Sequence, residues 1–221
     1  MTQLSNSNTE GFSAEYHAAL LAGLIHKLNN IITVLSGHSG LLLLEPNLKG
    51  DTLQAVQQIS HAAQLLSRCI DEAAIMGRLV PLSLQPVTLS ELFESLTSPR
   101  GLSTTKQFGK QVRVLADRRK LKEIFEEILR NASEANAKSA VVMADTHSGS
   151  VEIRFRDDGH GIKPAVRSRV FDPFFTTRKQ EEKFGLGLFR AKGDLARMKG
   201  QIFAESDGKT YTQIVVRLPA G

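Results

Sequence analysis

Apolar residues return at alternating steps of three and four at Leu21, Leu24, Leu28, Ile31 and Leu35, and again at Val56, Ile59, Ala63, Leu66 and Ile70. A seven-residue rhythm of this kind does not suit a strand; it calls for helices packed lengthwise against one another. Between the two runs, Glu45-Pro46-Asn47-Leu48-Lys49-Gly50 interrupts the helix, because Pro has no amide hydrogen and Gly disfavours continuation. Residues 12–80 are therefore expected to form an antiparallel helical hairpin, preceded by a flexible N-terminus over residues 1–11. Two helices bury only one seam, so a second copy completing a four-helix bundle, and hence a homodimer, is expected.

The pattern changes near Pro81. The stretch from Val80 to Val87 contains two prolines and reads as extended. Beyond it, residues 81–221 mix helices and strands. A short helix is expected at Leu89–Leu96 and a further helix, following glycines, at Phe184–Lys199. A strong amphipathic helix is expected at Leu121–Ala135, with Leu121, Ile124, Phe125, Ile128 and Leu129 on one face. Strands are expected at Gln111–Leu115, Ala140–Ala144, Val151–Arg156, Gln201–Glu205 and Gln213–Leu218. Hairpin strands interleaved with helices, without βαβ spacing, predict an α/β sandwich: a mixed sheet with helices on one face. The whole chain is thus α+β, a helical hairpin followed by a sandwich domain.

Composition narrows the function classes. Net charge is +5, but the basic residues are dispersed, and aromatic residues make up 6% with no Trp. Base stacking therefore has few platforms, and nucleic-acid binding is not expected. No apolar run approaches the ~20 residues of a membrane span, and the polar start MTQLSNSNTE is not a signal peptide. The lone Cys69 cannot form an internal disulfide, in keeping with a reducing, cytoplasmic setting.

Several segments carry chemistry. With Leu21 and Leu28 at a and Leu24 and Ile31 at d, His26 falls at f, facing water, with Asn30 and Thr33 on the same side. His38 falls on the d line and is expected to be partly buried. Taken alone, a surface histidine on a bundle means nothing; the second half gives it weight. Glu127 and Asn131 are four apart on the strong helix, hence on one face. Their oxygens suit Mg2+, a hard cation. Asp157-Asp158-Gly159-His160-Gly161-Ile162 follows a strand, and an Asp there can accept a hydrogen bond from an exocyclic amine. Phe171–Arg178 precedes a polar stretch, Lys179–Lys183, that reads as a mobile lid. Phe184-Gly-Leu-Gly-Leu-Phe189 then opens a helix, whose free N–H groups suit a phosphate chain, with Arg178 and Lys183 adding positive charge. This glycine pair is neither a Walker loop nor a Rossmann fingerprint.

In this order and spacing, the segments resemble sensor histidine kinases of two-component signalling, and residues 81–221 resemble the GHKL superfamily with its Bergerat nucleotide fold. Leu24–Asn30 is similar to the phosphoacceptor box and Glu127–Ala135 to the N box. Asp157–Ile162 is similar to the first glycine box, Val170–Thr177 to the F box, and Gly185–Leu188 to the second glycine box. The resemblance implies ATP and Mg2+ as cofactors. It implies that His26 takes the γ-phosphoryl group and passes it to an aspartate of a response regulator receiver domain. It implies that Asn131 holds Mg2+, with Glu127 assisting metal or water, and that Asp157 recognises the adenine amine. Ala135, Gly159, Gly161, Ile162, Gly185, Leu186, Gly187 and Leu188 would shape the nucleotide pocket, with Thr177 near the base or ribose. Asn30 matches the position that orients water in the reverse, phosphatase reaction. On this reading residues 12–80 are the dimerisation and phosphotransfer domain and residues 81–221 the catalytic domain.

Three departures qualify the resemblance. Lys27 stands where an acid usually follows the histidine, leaving open a weak autokinase, a phosphotransfer adaptor or phosphatase of the same architecture, or a base supplied elsewhere. Lys183-Phe184 stands where the second glycine box usually has its first glycine. Ser98–Lys110 is short, so the nucleotide domain is expected to be trimmed there. With no sensor or receiver segment in the sequence, the chain is expected to be the core of a longer kinase or a kinase fed by a separate sensor protein.

Overall fold

The computed structural model describes residues 7–77, 81–177 and 184–221. The chain divides into two units, Met1–Val80 and Pro81–Gly221.

The first unit is a pair of helices, α1 (Ser7–Leu43) and α2 (Gly50–Gly77), with the break at Pro46 where the sequence places it. The face that α1 turns to α2 is not the expected leucine line. Ile32 and Ser39 are buried and Ile25, Asn29 and Ser36 half-buried, whereas Leu21, Leu24, Leu28, Ile31 and Leu35 stay 38–55% exposed. On α2, Val56, Ala63 and Ile70 face inward as expected, but Ser60 and Ser67 take the alternate positions, and Ile59 and Leu66 face outward. His38, expected to be partly buried, is exposed for the same reason. The helices meet along Ile32, Val56 and Ile70 with Ser39 and Ala63 among them, and Ser39 Oγ satisfies itself on the Ser36 carbonyl at 3.3 Å. Two adjacent heptad faces run along each helix, and the bulkier one points away from the sister helix.

The second unit begins with β1 (Gln85–Thr88) and α3 (Leu89–Glu94). It continues through β2 (Ser103–Gln107), β3 (Arg113–Ala116), α4 (Arg118–Glu134), β4 (Ser139–His147) and β5 (Ser150–Asp157). It ends with α5 (Pro164–Arg167), α6 (Gly187–Arg197), β6 (Gln201–Ser206) and β7 (Thr212–Pro219). The five-stranded sheet runs β2-β4-β5-β7-β6, while β1 and β3 pair apart as an antiparallel ribbon. Only β2 and β4 are parallel, so the sheet is mixed.

Strand β2 corrects the expectation of a trimmed domain: it lies within Ser98–Lys110, at the sheet edge. Its sequence, Ser-Thr-Thr-Lys-Gln, is almost wholly exposed and shows no apolar alternation. Helix α6 starts three residues later than expected, at Gly187, because Gly185 takes a positive φ of 63° that a helix cannot contain. Helix α4 buries Leu121, Ile124, Phe125, Ile128, Leu129 and Ala132, the stripe read from the sequence plus one residue. Phe125 meets Phe155 of β5 edge-on, with ring centroids 4.8 Å apart. Helices α4 and α6 pack together and cover one face of the sheet, while Glu152, Arg154 and Arg217 pair on the other.

Candidate functional site

The pleat of β5 sends Val151, Ile153 and Phe155 into the core, and the same alternation carries Asp157 inward at the strand's end. Asp157 is 7% exposed, and its Oδ1 accepts the Gly159 N–H at 2.9 Å. Burial raises its carboxyl above the ordinary range, and N–H groups of Gly159 and Thr212 offset only part of that. Its neighbour Asp158 points the other way. It accepts Lys138 N at 2.7 Å, Ser139 N at 2.9 Å and Ser139 Oγ at 2.8 Å, and these bonds, the Ser139 N–H first, hold its carboxyl below the usual range. One aspartate is thus placed on the inner side of the fold and the other fastens the loop to β4.

The glycines of this loop serve the protein backbone. A Cβ on Gly159 would lie 2.8 Å from the Ala135 carbonyl oxygen, and His160 N donates to that same oxygen at 3.1 Å. The loop therefore rests on Ala135, the C-cap residue of α4. Gly161, at φ 70°, packs against Lys209 N and Ser206 Oγ. Ser206 Oγ accepts Ile162 N at 2.8 Å and Gly208 N at 3.0 Å and donates to Tyr211 O at 2.6 Å, locking the loop to the β6–β7 turn.

One turn back along α4, Asn131 Nδ2 donates to the Glu127 carbonyl at 2.9 Å and to Glu127 Oε1 at 3.2 Å. Arg130 Nη1 pairs with Glu127 Oε2 at 3.2 Å. The Asn131 amide is thereby oriented with its nitrogen on Glu127, leaving Oδ1, a hard neutral oxygen, as the atom Glu127 does not engage. Among the described residues no cluster of three or more His, Cys, Asp or Glu could hold a metal. A cation suited to this donor set takes one or two protein oxygens and completes its shell with phosphate and water, which fits Mg2+.

Gly187 opens α6 directly against Glu127, since a Cβ there would overlap Glu127 Oε1. No side chain caps this end of the helix, leaving its first N–H groups to other acceptors. Gly185 sits on the backbone of Phe175 and joins the Phe171–Thr177 segment to the glycine pair. Leu186 is buried and Leu188 half-buried, and Thr177 is exposed. Arg178, Lys183 and the rest of the expected lid lie outside the described residues. Asp157, Ala135 and Gly159 thus adjoin one end of α4, and Glu127, Asn131 and Gly187 adjoin one another beside it. Sequence reasoning missed Thr212 and Ser206. Thr212, buried, pairs with Asp157 across β5 and β7, and only strand register reveals that.

In the first unit His26, Lys27 and Asn30 are all exposed on α1. Thr33, one of the polar residues on that side, donates its hydroxyl to Asn29 O at 2.8 Å.

Residues 116–221 match the family of histidine kinase-, DNA gyrase B- and HSP90-like ATPases. Sporulation kinase A of Bacillus subtilis is 26% identical over 212 residues, which is 90% of this chain and 34% of the relative. The sensor protein VanSC of Enterococcus gallinarum is 28% identical over 217 residues, or 90% of this chain and 60% of the relative. The chain thus spans between a third and three fifths of these relatives. Among solved structures, full-length ShkA in complex with AMPPNP superposes with a TM-score of 0.64 at 22% identity, covering 92% of this chain and 46% of that one. The catalytic domain of histidine kinase ThkA gives a TM-score of 0.53 at 21% identity over 62% of this chain and 96% of that one. The chain is thus similar to sensor histidine kinases along both units: a helical hairpin with an exposed His26 precedes a unit whose residues 116–221 match this ATPase family.

Proposed function

We propose that this chain is the kinase core of a two-component system. ATP binds in the C-terminal unit, its γ-phosphoryl group passes to His26, and an aspartate of a receiver domain takes it from there. The observation that carries this reading is that one unit sets the buried Asp157 by one end of α4 and the Glu127–Asn131 pair against the uncapped start of α6, while the other displays an exposed histidine on a helical hairpin. The ATP analogue bound to the ShkA structure supports the choice of nucleotide.

Each residue has a stated task. Asp157 accepts the adenine amine, and Thr212 braces it. Asn131 Oδ1 would hold Mg2+, which would neutralise phosphate charge, and Glu127 would assist metal or water. The α6 N–H groups at Gly187 and Leu188, with Arg178 and Lys183, meet the phosphates. Gly159, Gly161, Ile162, Ala135, Gly185 and Leu186 shape the pocket wall, and Thr177 lies by the base or ribose. A neutral His26 ring nitrogen attacks the γ-phosphorus, the bond to the β–γ bridging oxygen breaks, ADP leaves, and the ring gives up its other proton. Lys27, an ammonium, cannot take that proton, so the base lies elsewhere. Positioning and charge neutralisation supply the catalysis. Asn30 is placed to orient water in the reverse, phosphatase direction. Residues 12–80 act as the dimerisation and phosphotransfer domain and residues 81–221 as the catalytic domain. We assign the core to the cytoplasm because its proposed substrate is ATP; no described helix is long and apolar enough to cross a membrane.

Incubation with radiolabelled ATP tests this. Wild type should acquire acid-labile, alkali-stable label, and His26→Ala should lose at least ~99% of it while binding nucleotide unchanged, as expected when the nucleophile is removed. Release of free phosphate without protein label would instead make the chain an ATPase.

The exposed leucine line of α1, continued by Ile59 and Leu66 of α2, is the surface a second copy covers. Leu28→Glu should reduce the particle to a single chain in light scattering, since an unpaired charge on a buried seam costs several kcal/mol, roughly.

A further inference from the structure

Asp117, buried and immediately before α4, holds three parts of the second unit at once. Its Oδ1 accepts Lys120 N at 3.0 Å, capping the helix that carries Glu127 and Asn131. Its Oδ2 accepts Ser83 N at 3.0 Å, tying down the extended segment through which the chain arrives from the hairpin. Its own N–H reaches Met198 Sδ at 3.3 Å, and Met198 is the C-cap of α6, the helix that begins at Gly187 beside Glu127. Lys120 Nζ adds a second tie between the helices, 3.5 Å from Asp194 of α6. A cap alone needs one oxygen; this carboxylate gives its other to a residue 34 positions earlier in the chain. Burial by itself would raise the carboxyl, but hydrogen bonds from Ser83 and Lys120 outweigh it and keep the group below its usual range.

We propose that Asp117 is a positioning residue that couples the lead-in segment at Ser83 to the helix pair α4 and α6, so that the state of that segment sets nucleotide affinity. The proposal rests on the nucleotide site assigned above. A pull on residues 81–84 acts on the start of α4, which is continuous with the Glu127–Asn131 turn, and on the end of α6, whose start faces that turn. Coupling of this kind is reciprocal: whatever the segment does to the nucleotide, the nucleotide does to the segment.

Ser83→Pro removes the donated N–H and leaves the Asp117–Lys120 cap in place. Asp117→Ser keeps a cap oxygen and loses the reach to Ser83. In the full chain each should weaken Mg-ADP binding about five- to tenfold by calorimetry. The double variant should be no weaker than either single one, because both cut the same bond. Amide exchange at the neighbours of residue 83 should respond to Mg-ADP in the wild type and become insensitive to it in both variants. Wild-type affinity in Ser83→Pro, or additive losses in the double variant, would overturn the coupling. So would a lowered melting temperature with unchanged affinity, which is what a purely structural cap produces. Failure of the wild type to bind Mg-ADP would overturn the nucleotide assignment instead, a distinct result.

Discussion

Asp157→Asn abolishes nucleotide binding and raises the melting temperature of the C-terminal unit. Both halves of this expected result follow from one position. The carboxylate lies at the end of a buried row on β5, 7% exposed, and its proton affinity in the folded state is raised by burial. A carboxyl with a folded pKa above its unfolded value favours the folded state when protonated. Its unfavourable contribution therefore grows as pH rises from the unfolded value through the folded one, and is complete above the folded one. Asparagine has the same shape, keeps an oxygen for Gly159 N, and has no charge to desolvate. The gain should be of order 1 kcal/mol, or a few degrees in Tm, as at other functional positions that work against stability. The adenine amine, however, would meet an amide whose second terminal atom is a donor rather than an acceptor. A loss beyond ~100-fold in affinity is expected where a polar match is replaced by a mismatch. Calorimetry with Mg-ADP and a pH series of thermal melts read the two effects. The stability difference between variant and wild type should shrink as pH falls. A variant that melts lower, or that still binds nucleotide, refutes the assignment.

Gly185→Ala should be the most damaging single-methyl change in the C-terminal unit. The glycine holds φ at 63°, a region that costs an ordinary residue about 1–2 kcal/mol. A Cβ there would also overlap the carbonyl oxygen of Phe175 and lie 2.5 Å from its carbon, and backbone cannot swing aside as a side-chain tip can. Either the Phe171–Thr177 segment moves off the glycine or the start of α6 shifts against Glu127. Both outcomes disturb the phosphate end of the site. Nucleotide affinity should fall at least ~10-fold with a stability loss of about 2 kcal/mol or more, a size typical of strain at a special backbone position. Gly193→Ala, inside α6 and with open space around it, is the control and should be neutral or slightly stabilising. Equal behaviour of the two variants would remove the argument.

Legibility from sequence followed the range of each interaction. Helix α4 was readable because its apolar stripe and its Glu127–Asn131 pair are local. Asp157 was readable because strand alternation is local as well. The inner face of α1 was not. Two seven-residue rhythms lie side by side on α1, and leucine size favours the wrong one as the partner of α2. Strand β2 escaped because an exposed parallel edge needs no apolar residues, and Ser103–Gln107 has none. Ser206 and Thr212 serve Gly161 and Asp157 from strands far along the chain, and only register brings them there. Ser83 and Asp117 are the same case: an extended segment and a helix cap, ordinary when apart, joined by one carboxylate.

The narrow interior of the hairpin has a consequence for how the proposed kinase core depends on its own concentration. Among its described residues the hairpin buries Ile32, Val56 and Ile70 beside Ser39 and Ala63 while its leucines stay exposed, so an isolated stalk removes only a limited amount of hydrocarbon from water. In the proposed dimer most of its cohesion then comes from the copy that shields its leucines, and ordering and assembly become a single event. In dilute conditions the number of working particles would scale with the square of synthesis, so a modest change in expression acts as a threshold.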